Sequence, residues 1–273
     1  MTLNIALIGC GKMGSAMAQS WIRKNIIRSL KIIDPIQTLH LDSDDSHVMI
    51  EHYKEIDESA FSSASPNVVI LAVKPQIMDD VCNQLAPVLP NNTLVISIAA
   101  GKTIQSFQDK FGAQQPIIRV MPNTPAAIGE GMSVMVANDQ TSAEQKKSAA
   151  ELLRVTGKVE TIEDEALMDA VTAVSGSGPA YVFLLIEAMT EAGIKAGLSE
   201  KLSYTLARQT VIGSAYLAED MDGTPAGTLR QNVTSPGGTT EAALNVLMGE
   251  NKMQNLMTEA ILAAKKRGEE LSN

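Results

Sequence analysis

The segment NVTSPGGTTEAAL, residues 232 to 244, places paired glycines and hydroxyl side chains directly before an apolar, alanine-rich helical pattern. Backbone amides at a helix N-terminus lack partners within the helix, and the helix dipole favours an anion beside them. Thr239 and Thr240 would supply such amides after Pro236, Gly237 and Gly238. The segment therefore predicts either an anion site suited to a carboxylate or an ordinary capped turn.

A second glycine-rich segment, SGSGPAY at residues 175 to 181, also precedes an apolar helical pattern. Pro179 suits the first position of a helix, and Ser177 could cap that helix. By itself this pattern favours a corner between two helices over a binding site.

The three histidines, His40, His47 and His52, all lie in one polar segment, at spacings that suit no metal pair on a helix. We interpret them as solvated surface residues and predict no metal site. Because no histidine follows residue 52, a serine–histidine nucleophile or a histidine acid/base is difficult to build in the second half of the chain.

The chain begins with a pattern that is typical of dinucleotide binding. A buried strand, LNIALI, precedes the glycine turn GCGKMG, which opens the helical stretch SAMAQSWIRK. Gly9 would permit the tight turn, Gly11 would let the backbone approach a pyrophosphate, and Gly14 would let the helix pack on the strand. The alternative is a glycine-rich turn that binds no ligand.

Asp34 ends the second predicted strand, LKIID, and its carboxylate could bind the ribose of the adenosine. No arginine follows in the next loop to neutralise a ribose phosphate, so this position indicates NAD. The alternative is an ordinary turn residue before Pro35.

Further strands at NVVILAV, TLVISIA, IIRVMP and MSVMV alternate with helical stretches at 76–86, 103–111 and 142–155. This alternation predicts an α/β fold with a mostly parallel, doubly wound sheet of the Rossmann type. Ligands of such sheets bind beyond the carboxyl ends of the strands, which here are followed by AVKP, AAG and MPNTP. Within these loops, Lys74 could reach a phosphate or brace the loop, Pro75 could begin a helix, and Asn123 could be a turn former.

Strand patterns stop near residue 163, so we predict a dinucleotide-binding domain at 1–163 and an all-α domain at 164–273. The predicted helices of the second domain span 164–174, 179–196, 199–219, 225–231, 240–248 and 252–270. Two of them are apolar over much of their circumference, which predicts a homo-oligomer formed through these helices. The alternative is packing onto the first domain of the same chain.

The composition limits the possible partners and location. The 273 residues carry a net charge of −9 with no block of basic residues, which argues against nucleic acid or an anionic membrane. We expect no signal segment, because no charged-then-apolar pattern occurs at the N-terminus, and the apolar runs VVILAV and YVFLLI are too short to span a bilayer. With only Cys10 and Cys82 present, we expect a soluble, cytoplasmic protein with reduced thiols.

Five motifs, GCGKMG, AVKP, RVMPNTPAAIGEG, SGSGPAY and NVTSPGGTTEAAL, occur in the order found in pyrroline-5-carboxylate reductases. The chain resembles this family over essentially its whole length, and the last three motifs together are specific to it. The resemblance implies reduction of the C=N bond of 1-pyrroline-5-carboxylate to L-proline by NADPH or NADH. It also implies a homodimer that interlocks through the helical domain and often assembles further into rings of five dimers, a decamer.

The resemblance assigns roles to individual residues. Thr240 is the predicted catalytic residue: its hydroxyl would lie near the imine nitrogen and could donate or relay a proton without a histidine. The residues assigned to the substrate are Ser235, Gly238, Thr239 and Thr240. Those assigned to the pyrophosphate are Gly9, Gly11, Lys12, Met13 and Gly14, and those that would line the rest of the cofactor are Ala72, Val73, Lys74, Pro75, Ala99 and Asn123, beside Asp34.

Two departures from the family concern the cofactor. Asp57, Glu58 and Ser59 stand where many members have an asparagine, and DPIQ follows the second strand, where members that prefer NADPH carry hydroxyl or basic residues. The choice between NADPH and NADH therefore stays open at this point.

Two other functions fit the sequence less well. A β-hydroxyacid dehydrogenase needs a lysine where this chain has Val182, and a nucleotide-binding sensor without turnover has no use for the SPGGTT segment.

Overall fold

The computed structural model describes residues 3–36, 47–62 and 65–272, and they form two compact units. The first unit contains Met1–Gly176 together with Ala264–Asn273, and the second contains Ser177–Ala263.

An eight-stranded sheet forms the first unit, in the order β3-β2-β1-β4-β5-β6-β7-β8. Every neighbouring pair is parallel except β6 and β7, which are antiparallel. The predicted mostly parallel, doubly wound sheet is thereby confirmed. The strands are β1 Leu3–Ile8, β2 Ile27–Ile33, β3 Met49–Tyr53, β4 Val68–Leu71, β5 Leu94–Ser97, β6 Ile117–Met121, β7 Gly131–Ala137 and β8 Gly157–Thr161.

Helices cover both faces of this sheet, and each face has its own apolar core. In β1, Ile5 and Leu7 belong to one core and Ala6 and Ile8 to the other, as the alternation of a strand requires. The helices of this unit are α1 Lys12–Arg23, α2 Glu58–Ser62, α3 Met78–Leu85, α4 Ile104–Phe111, α5 Ala143–Arg154 and α6 Met168–Val171.

The sequence did not predict the strands β3 and β8, which lie at the two edges of the sheet. Both are mostly half-buried or exposed, so neither contains the continuous apolar run that marks β4 and β5. His52 lies in β3 and His47 precedes it, and both are exposed as expected. His40 lies outside the described residues.

The second unit is helical, in agreement with the predicted pattern. It contains α7 Gly178–Lys195, α8 Glu200–Asp220, α9 Ala226–Asn232, α10 Thr239–Met248 and the first part of α11 Lys252–Ser272, which ends in the first unit. Helices α7 and α8 pack closely at Gly193, where any side chain would collide with Ser203 Oγ. That hydroxyl donates to the carbonyl of Thr190 at 2.6 Å.

The two units divide at residue 176, whereas the sequence analysis placed the domain boundary at residue 163. A buried ion pair explains why the residues between these points stay with the sheet. The side chain of Arg119, on β6, is 4% exposed, and its Nη1 lies 2.8 Å from Glu165 Oε1. Asp169 Oδ1 is 4.0 Å from Nη2 of the same side chain. A buried guanidinium is stable only with its charged partners beside it. The Arg119 side chain therefore holds the segment that contains Glu165 and Asp169 against β6.

Little of the second unit is buried within the chain. None of the residues of α7, α9 or α10 is buried, and in α8 only Ser203 and Ala207 are. The side chains of Phe183 and Leu184 are 60% and 61% exposed. A helix that is apolar all round normally packs against something, so these faces need a partner.

One helical run in the described part of the chain, Glu165–Lys195, is long and apolar enough to cross a membrane by length and composition alone. Its mean hydropathy is 1.3, and 6% of the window is buried. The expectation that the apolar runs are too short to span a bilayer did not anticipate this continuous helical run. One such helix is weak evidence for a membrane, because an exposed oligomer interface has the same composition.

Candidate active site

The turn after β1 has the geometry that a dinucleotide-binding fingerprint requires. Gly9 adopts a φ of +94°, and a Cβ there would come 2.7 Å from the carbonyl oxygen of Ala72. A Cβ at Gly14 would collide with the carbonyl oxygen of Gly9. By contrast, a Cβ at Gly11 would meet nothing within 4 Å, so this position opens into free space. The first and third glycines thus serve packing, and the second leaves room for a ligand.

Helix α1 begins beside this space with its amides available. Gly11 is the N-cap and offers no side-chain cap, and the first turn contains no acidic residue. Within the described ranges, nothing accepts a hydrogen bond from the amides of Gly11, Lys12, Met13 or Gly14. Such a cluster of amides at a helix N-terminus binds a phosphate well. The residues present therefore fit the pyrophosphate of a nicotinamide dinucleotide.

Asp34 is held by two backbone hydrogen bonds at the end of β2. Its Oδ2 accepts from the amide of Cys10 at 2.7 Å, and its Oδ1 accepts from the amide of Ile36 at 2.9 Å. The second bond forms the turn that the sequence analysis considered as the alternative role. The first ties the carboxylate to the glycine turn. Burial of the Cys10 thiol, and then the Asp34 charge, raise the pKa of that thiol, so it stays protonated near neutral pH.

A cavity of about 800 Å³ lies beyond the carboxyl ends of β1, β2 and β4. It contains six of the residues predicted to bind the cofactor: Gly9, Gly11, Asp34, Ala72, Val73 and Lys74. The cavity is also lined by residues that the sequence analysis missed, among them Lys54, Glu55, Ile56, Ile77 and Gln84. Lys54, Glu55 and Ile56 follow the carboxyl end of β3, so recognition of that edge strand would have placed them here.

The other predicted cofactor residues also follow carboxyl ends of central strands. Pro75 begins a short 3₁₀ turn after β4, with the exposed Lys74 as its N-cap. Ala99 is buried beyond β5, and its amide donates to Ser97 Oγ at 3.3 Å.

The side chain of Asn123 braces the loop after β6. Its Nδ2 donates to the carbonyl of Ser175 at 3.1 Å, and its Oδ1 accepts from the amide of Met132 at 2.8 Å. Asn123 thus braces its loop through the side chain, whereas the sequence analysis considered it as a cofactor residue or a turn former.

A π-helical turn, Thr172–Gly176, ends at the second residue of the segment SGSGPAY, just before α7. At Gly176 a Cβ would come 2.6 Å from Met121 Cε, so glycine permits a close approach to the end of β6. Pro179 lies in the first turn of α7, as predicted. The predicted cap at Ser177 was wrong, because the Ser177 side chain makes no capping hydrogen bond.

In the second unit, the predicted anion site lies between α9 and α10. Gly237 has a φ of +70°, and the amide of Gly238 donates to the carbonyl of Ser235 at 3.0 Å. Among the residues that the structure describes, none accepts from the amides of Thr239 or Thr240. The hydroxyls of Ser235, Thr239 and Thr240 likewise have no partner in the described part of the chain. The loop therefore combines available hydroxyls and amides at the start of a helix.

Glu241 is a residue of this loop that the sequence analysis missed. Its Oε2 accepts from the amide of Gly237 at 2.7 Å. Glu241 is the third residue of α10 after the N-cap Gly238, and a glutamate at that position often reaches back to the chain before the helix. It therefore fixes the turn while leaving the next amides available.

Asp57 and Ser59, which depart from the family pattern, form hydrogen bonds at the start of α2. Asp57 Oδ1 accepts from Ser59 Oγ at 2.5 Å and from the amide of Ala60 at 3.2 Å. These bonds, led by that from Ser59, lower the pKa of the Asp57 carboxyl.

The described residues form no metal site, and a second cavity among them shows no unsatisfied buried polar side chain. Within residues 3–36, 47–62 and 65–272, no cluster of three His, Cys, Asp or Glu side chains could hold a metal ion. A larger, open cavity of about 1250 Å³ lies at the amino ends of the strands. Its buried polar side chains bond within the protein, as when Gln115 Nε2 donates to the carbonyl of Thr93 at 2.5 Å.

Known proteins are similar to this chain over most of its length. The pyrroline-5-carboxylate reductase of Pseudomonas aeruginosa is 46% identical over 217 residues, which are 80% of this chain and 79% of that protein. That of Pisum sativum is 37% identical over 98% of this chain and 96% of its own length. Among solved structures, the Coxiella burnetii enzyme matches with a TM-score of 0.89 at 34% identity, with both chains fully covered. The Plasmodium falciparum enzyme, solved with NADP bound, matches with a TM-score of 0.82 at 32% identity over 99% and 98% of the two chains.

The amides of Gly11, Lys12, Met13 and Gly14 form a phosphate-binding cradle on a Rossmann-type sheet. This cradle, followed by a helical unit, defines an NAD(P)-dependent oxidoreductase. Residues 4–101 match the family model "NADP oxidoreductase coenzyme F420-dependent", and residues 165–271 match "Pyrroline-5-carboxylate reductase dimerisation". The chain belongs to the pyrroline-5-carboxylate reductase family. This membership confirms the predicted resemblance and decides against the β-hydroxyacid dehydrogenase and sensor alternatives.

Proposed function

We propose that this protein reduces 1-pyrroline-5-carboxylate to L-proline with NADPH or NADH, the last step of proline biosynthesis. The observation that carries the proposal is the loop before α10, whose hydroxyls and helix-start amides suit a small carboxylate. Family membership and the dinucleotide cradle support the same reaction.

In this proposal, the amides of Thr239 and Thr240 hold the substrate carboxylate, assisted by the hydroxyl of Ser235. The helix dipole adds about 0.3–1 kcal/mol to that binding. The amide of Gly238 is already bonded to Ser235, so Gly238 contributes by letting the ring approach the backbone.

When bound, the reduced nicotinamide supplies a hydride to the imine carbon, and a proton added to the ring nitrogen completes L-proline and leaves the oxidised cofactor. We assign the proton donation or relay to the Thr240 hydroxyl, since no histidine follows residue 52. The remaining task of the protein is to orient the imine towards the cofactor.

The proposed cofactor residues lie in the cradle of amides and at the carboxyl ends of the strands. The amides of Gly11, Lys12, Met13 and Gly14 hold the pyrophosphate. The rest of the cofactor lies against Gly9, Asp34, Ala72, Val73, Lys74, Pro75, Ala99 and Asn123.

The reaction is tested by following the consumption of reduced cofactor with purified protein. We expect consumption with pyrroline-5-carboxylate and a much higher KM with 1-pyrroline, which has the same ring imine without the carboxylate. Charge-assisted hydrogen bonds contribute about 1.5–3 kcal/mol each, so loss of two should raise KM at least about a hundredfold. The absence of turnover with either cofactor, or equal KM values for the two imines, would contradict the proposal.

We also propose that the exposed faces of the second unit are covered by a second copy of this chain in a homodimer. The support is the dimerisation family model and the exposed apolar side chains of α7. A decamer of five such dimers, a cytoplasmic location, and the absence of nucleic-acid and membrane partners stay predictions of the sequence analysis.

Sedimentation without detergent tests this assembly. We expect a dimer or a multiple of it at micromolar concentration, and a shift towards monomer for Phe183→Asp. Burial of each phenylalanine contributes about 1.5–3 kcal/mol, and a dimer contains two. The exposed Gln114→Asp variant, in the first unit, is the matched control and should keep the wild-type mass. A monomeric wild-type protein would rule out the homodimer.

A further inference from the structure

The loop at residues 98–103, which we call the β5 loop, connects β5 to α4 and contains Ala99. In a Rossmann-type sheet a dinucleotide crosses the carboxyl ends of the strands, with its adenosine beyond β2 and its pyrophosphate at the turn after β1. Because β1 lies between β2 and β4, with β5 next to β4, the nicotinamide half of the cofactor is expected on the side of the β5 loop.

The end of α11 packs against the β5 loop within the first unit. Gly101 has a φ of +72°, and a Cβ there would come 3.2 Å from the carbonyl oxygen of Leu271, in the last turn of α11. One turn earlier in the helix, a Cβ at Gly268 would come 2.9 Å from Oδ1 of Asp169, on α6. Glycine at both positions therefore lets the helix end approach the loop and α6 closely.

A buried ion pair holds the other end of the β5 loop. Glu165 Oε1 accepts from Arg119 Nη1 at 2.8 Å and from the amide of Ile104, the first residue of α4, at 2.9 Å. Asp169, against which α11 packs, lies 4.0 Å from Nη2 of the same guanidinium. Arg119 thus fixes both Glu165, at the end of the loop, and Asp169, beside α11.

The β5 loop has one further ion pair, which lies at the surface. Lys102 Nζ is 2.8 Å from Asp79 Oδ1, and the two side chains are 22% and 63% exposed. An ion pair with such exposure contributes little, whereas breaking a buried pair leaves an uncompensated charge. The position of the loop therefore depends mainly on the buried pair and on the end of α11.

We propose that Gly268, Arg119 and Glu165 are positioning residues, which hold the β5 loop in the conformation that binds the nicotinamide half of the cofactor. They act through the loop and not by touching the cofactor. The inference rests on the proposed function only for the identity of the cofactor, and the imine takes no part in it.

Calorimetric titration with NADH and with ADP, without any imine, tests the proposal. ADP carries the adenosine and the pyrophosphate but no nicotinamide. Gly268→Val pushes the end of α11 away from Asp169 and the loop. If the released loop is correctly placed about a tenth of the time, NADH binds about tenfold more weakly, while the affinity for ADP stays within about twofold. Lys266→Val, at an exposed position of the same helix, is the matched control and should change neither affinity.

A chain that ends at Arg267 covers the case in which Gly268→Val fails to fold. It removes Leu271 from beside Gly101 and leaves the buried ion pair intact. We expect the same selective loss of NADH affinity. Because the shortened chain also lacks the exposed ion pair between Arg267 and Glu270, Glu270→Ala is its control and should bind both ligands as the wild-type protein does.

Three results would overturn the proposal. An equal loss for NADH and ADP would mean general damage to the cofactor site. An unchanged NADH affinity in a folded Gly268→Val variant or in the shortened chain would show that the loop does not need the end of α11. A wild-type protein that binds NADH no more tightly than ADP would show that the loop adds nothing to binding.

These outcomes are independent of the reaction. A protein that shows the selective loss but reduces no pyrroline would keep this inference and lose the proposed function. Turnover of pyrroline-5-carboxylate together with variants of wild-type NADH affinity would do the reverse.

Discussion

The Gly11→Val variant is expected to lose binding of both NADH and NADPH while remaining folded. The site explains both halves of this result. A Cβ at Gly11 meets no atom within 4 Å, and the residue has an ordinary φ of −68°, so valine costs the fold little. Its side chain would project into the space that the amides of α1 surround, and would keep the pyrophosphate away from them.

The expected loss of affinity is at least about a hundredfold. Each charge-assisted hydrogen bond to a phosphate contributes about 1.5–3 kcal/mol, and valine would prevent at least two of them. Calorimetry measures the affinity, and thermal unfolding should give a midpoint close to that of the wild-type protein.

Gly14→Val is the matched control. It makes the same chemical change three residues later, where the new side chain collides with the carbonyl oxygen of Gly9. We expect a lower unfolding midpoint for Gly14→Val as well as lost binding. If Gly11→Val bound cofactor normally, or if both variants unfolded alike, the separate roles given to these glycines would be wrong.

The Thr240→Ala variant is expected to reduce kcat for imine reduction by about a hundredfold or more, because a positioned proton donor contributes roughly 10²–10⁴ to a rate. The backbone amide survives the substitution, so KM for the substrate should change less than kcat. Affinity for NADH should stay at the wild-type value.

Two further variants separate chemistry from packing. Thr240→Ser restores the hydroxyl and should recover most of the lost rate. Thr205→Ala removes a hydroxyl that donates to the carbonyl of Lys201 at 2.8 Å on exposed α8, and should not alter kcat. A Thr240→Ala enzyme with the wild-type kcat would remove Thr240 from the mechanism.

The central strands could be predicted because they are buried on both faces. β4 is apolar throughout and β5 is apolar up to the buried Ser97 at its end, a run that is typical of a strand inside a parallel sheet. The edge strands β3 and β8 face solvent and have no comparable pattern. Because β3 was not predicted, Lys54, Glu55 and Ile56 were missed as well; they follow this strand and line the cavity beside Asp34.

Side-chain partners across long stretches of sequence could not be predicted. Asn123 bonds to Ser175, 52 residues away, and Asp34 to Cys10, 24 residues away. No local pattern encodes such pairs, because they exist only once the sheet brings its strand ends together. The boundary between the units has the same origin, since it depends on the pairing of Arg119 with Glu165.

By contrast, local backbone geometry could be predicted from the sequence where glycines and helix starts determine it. The turn at Gly9 and the loop before α10 follow from residue types and spacing alone. Glu241 could have been found in the same way, because it stands three residues after the N-cap Gly238. The substrate was predicted from the order of the five motifs, because no pattern of glycines and hydroxyls by itself specifies it.

The central claim is that this chain transfers a hydride from reduced nicotinamide to the imine carbon of pyrroline-5-carboxylate. The most direct measurement uses NADH that carries deuterium in the transferred position, with mass spectrometry of the product. We predict L-proline with deuterium at Cδ, formed in equal amount to the cofactor oxidised. Proline without deuterium, or cofactor oxidation without proline, would contradict the account.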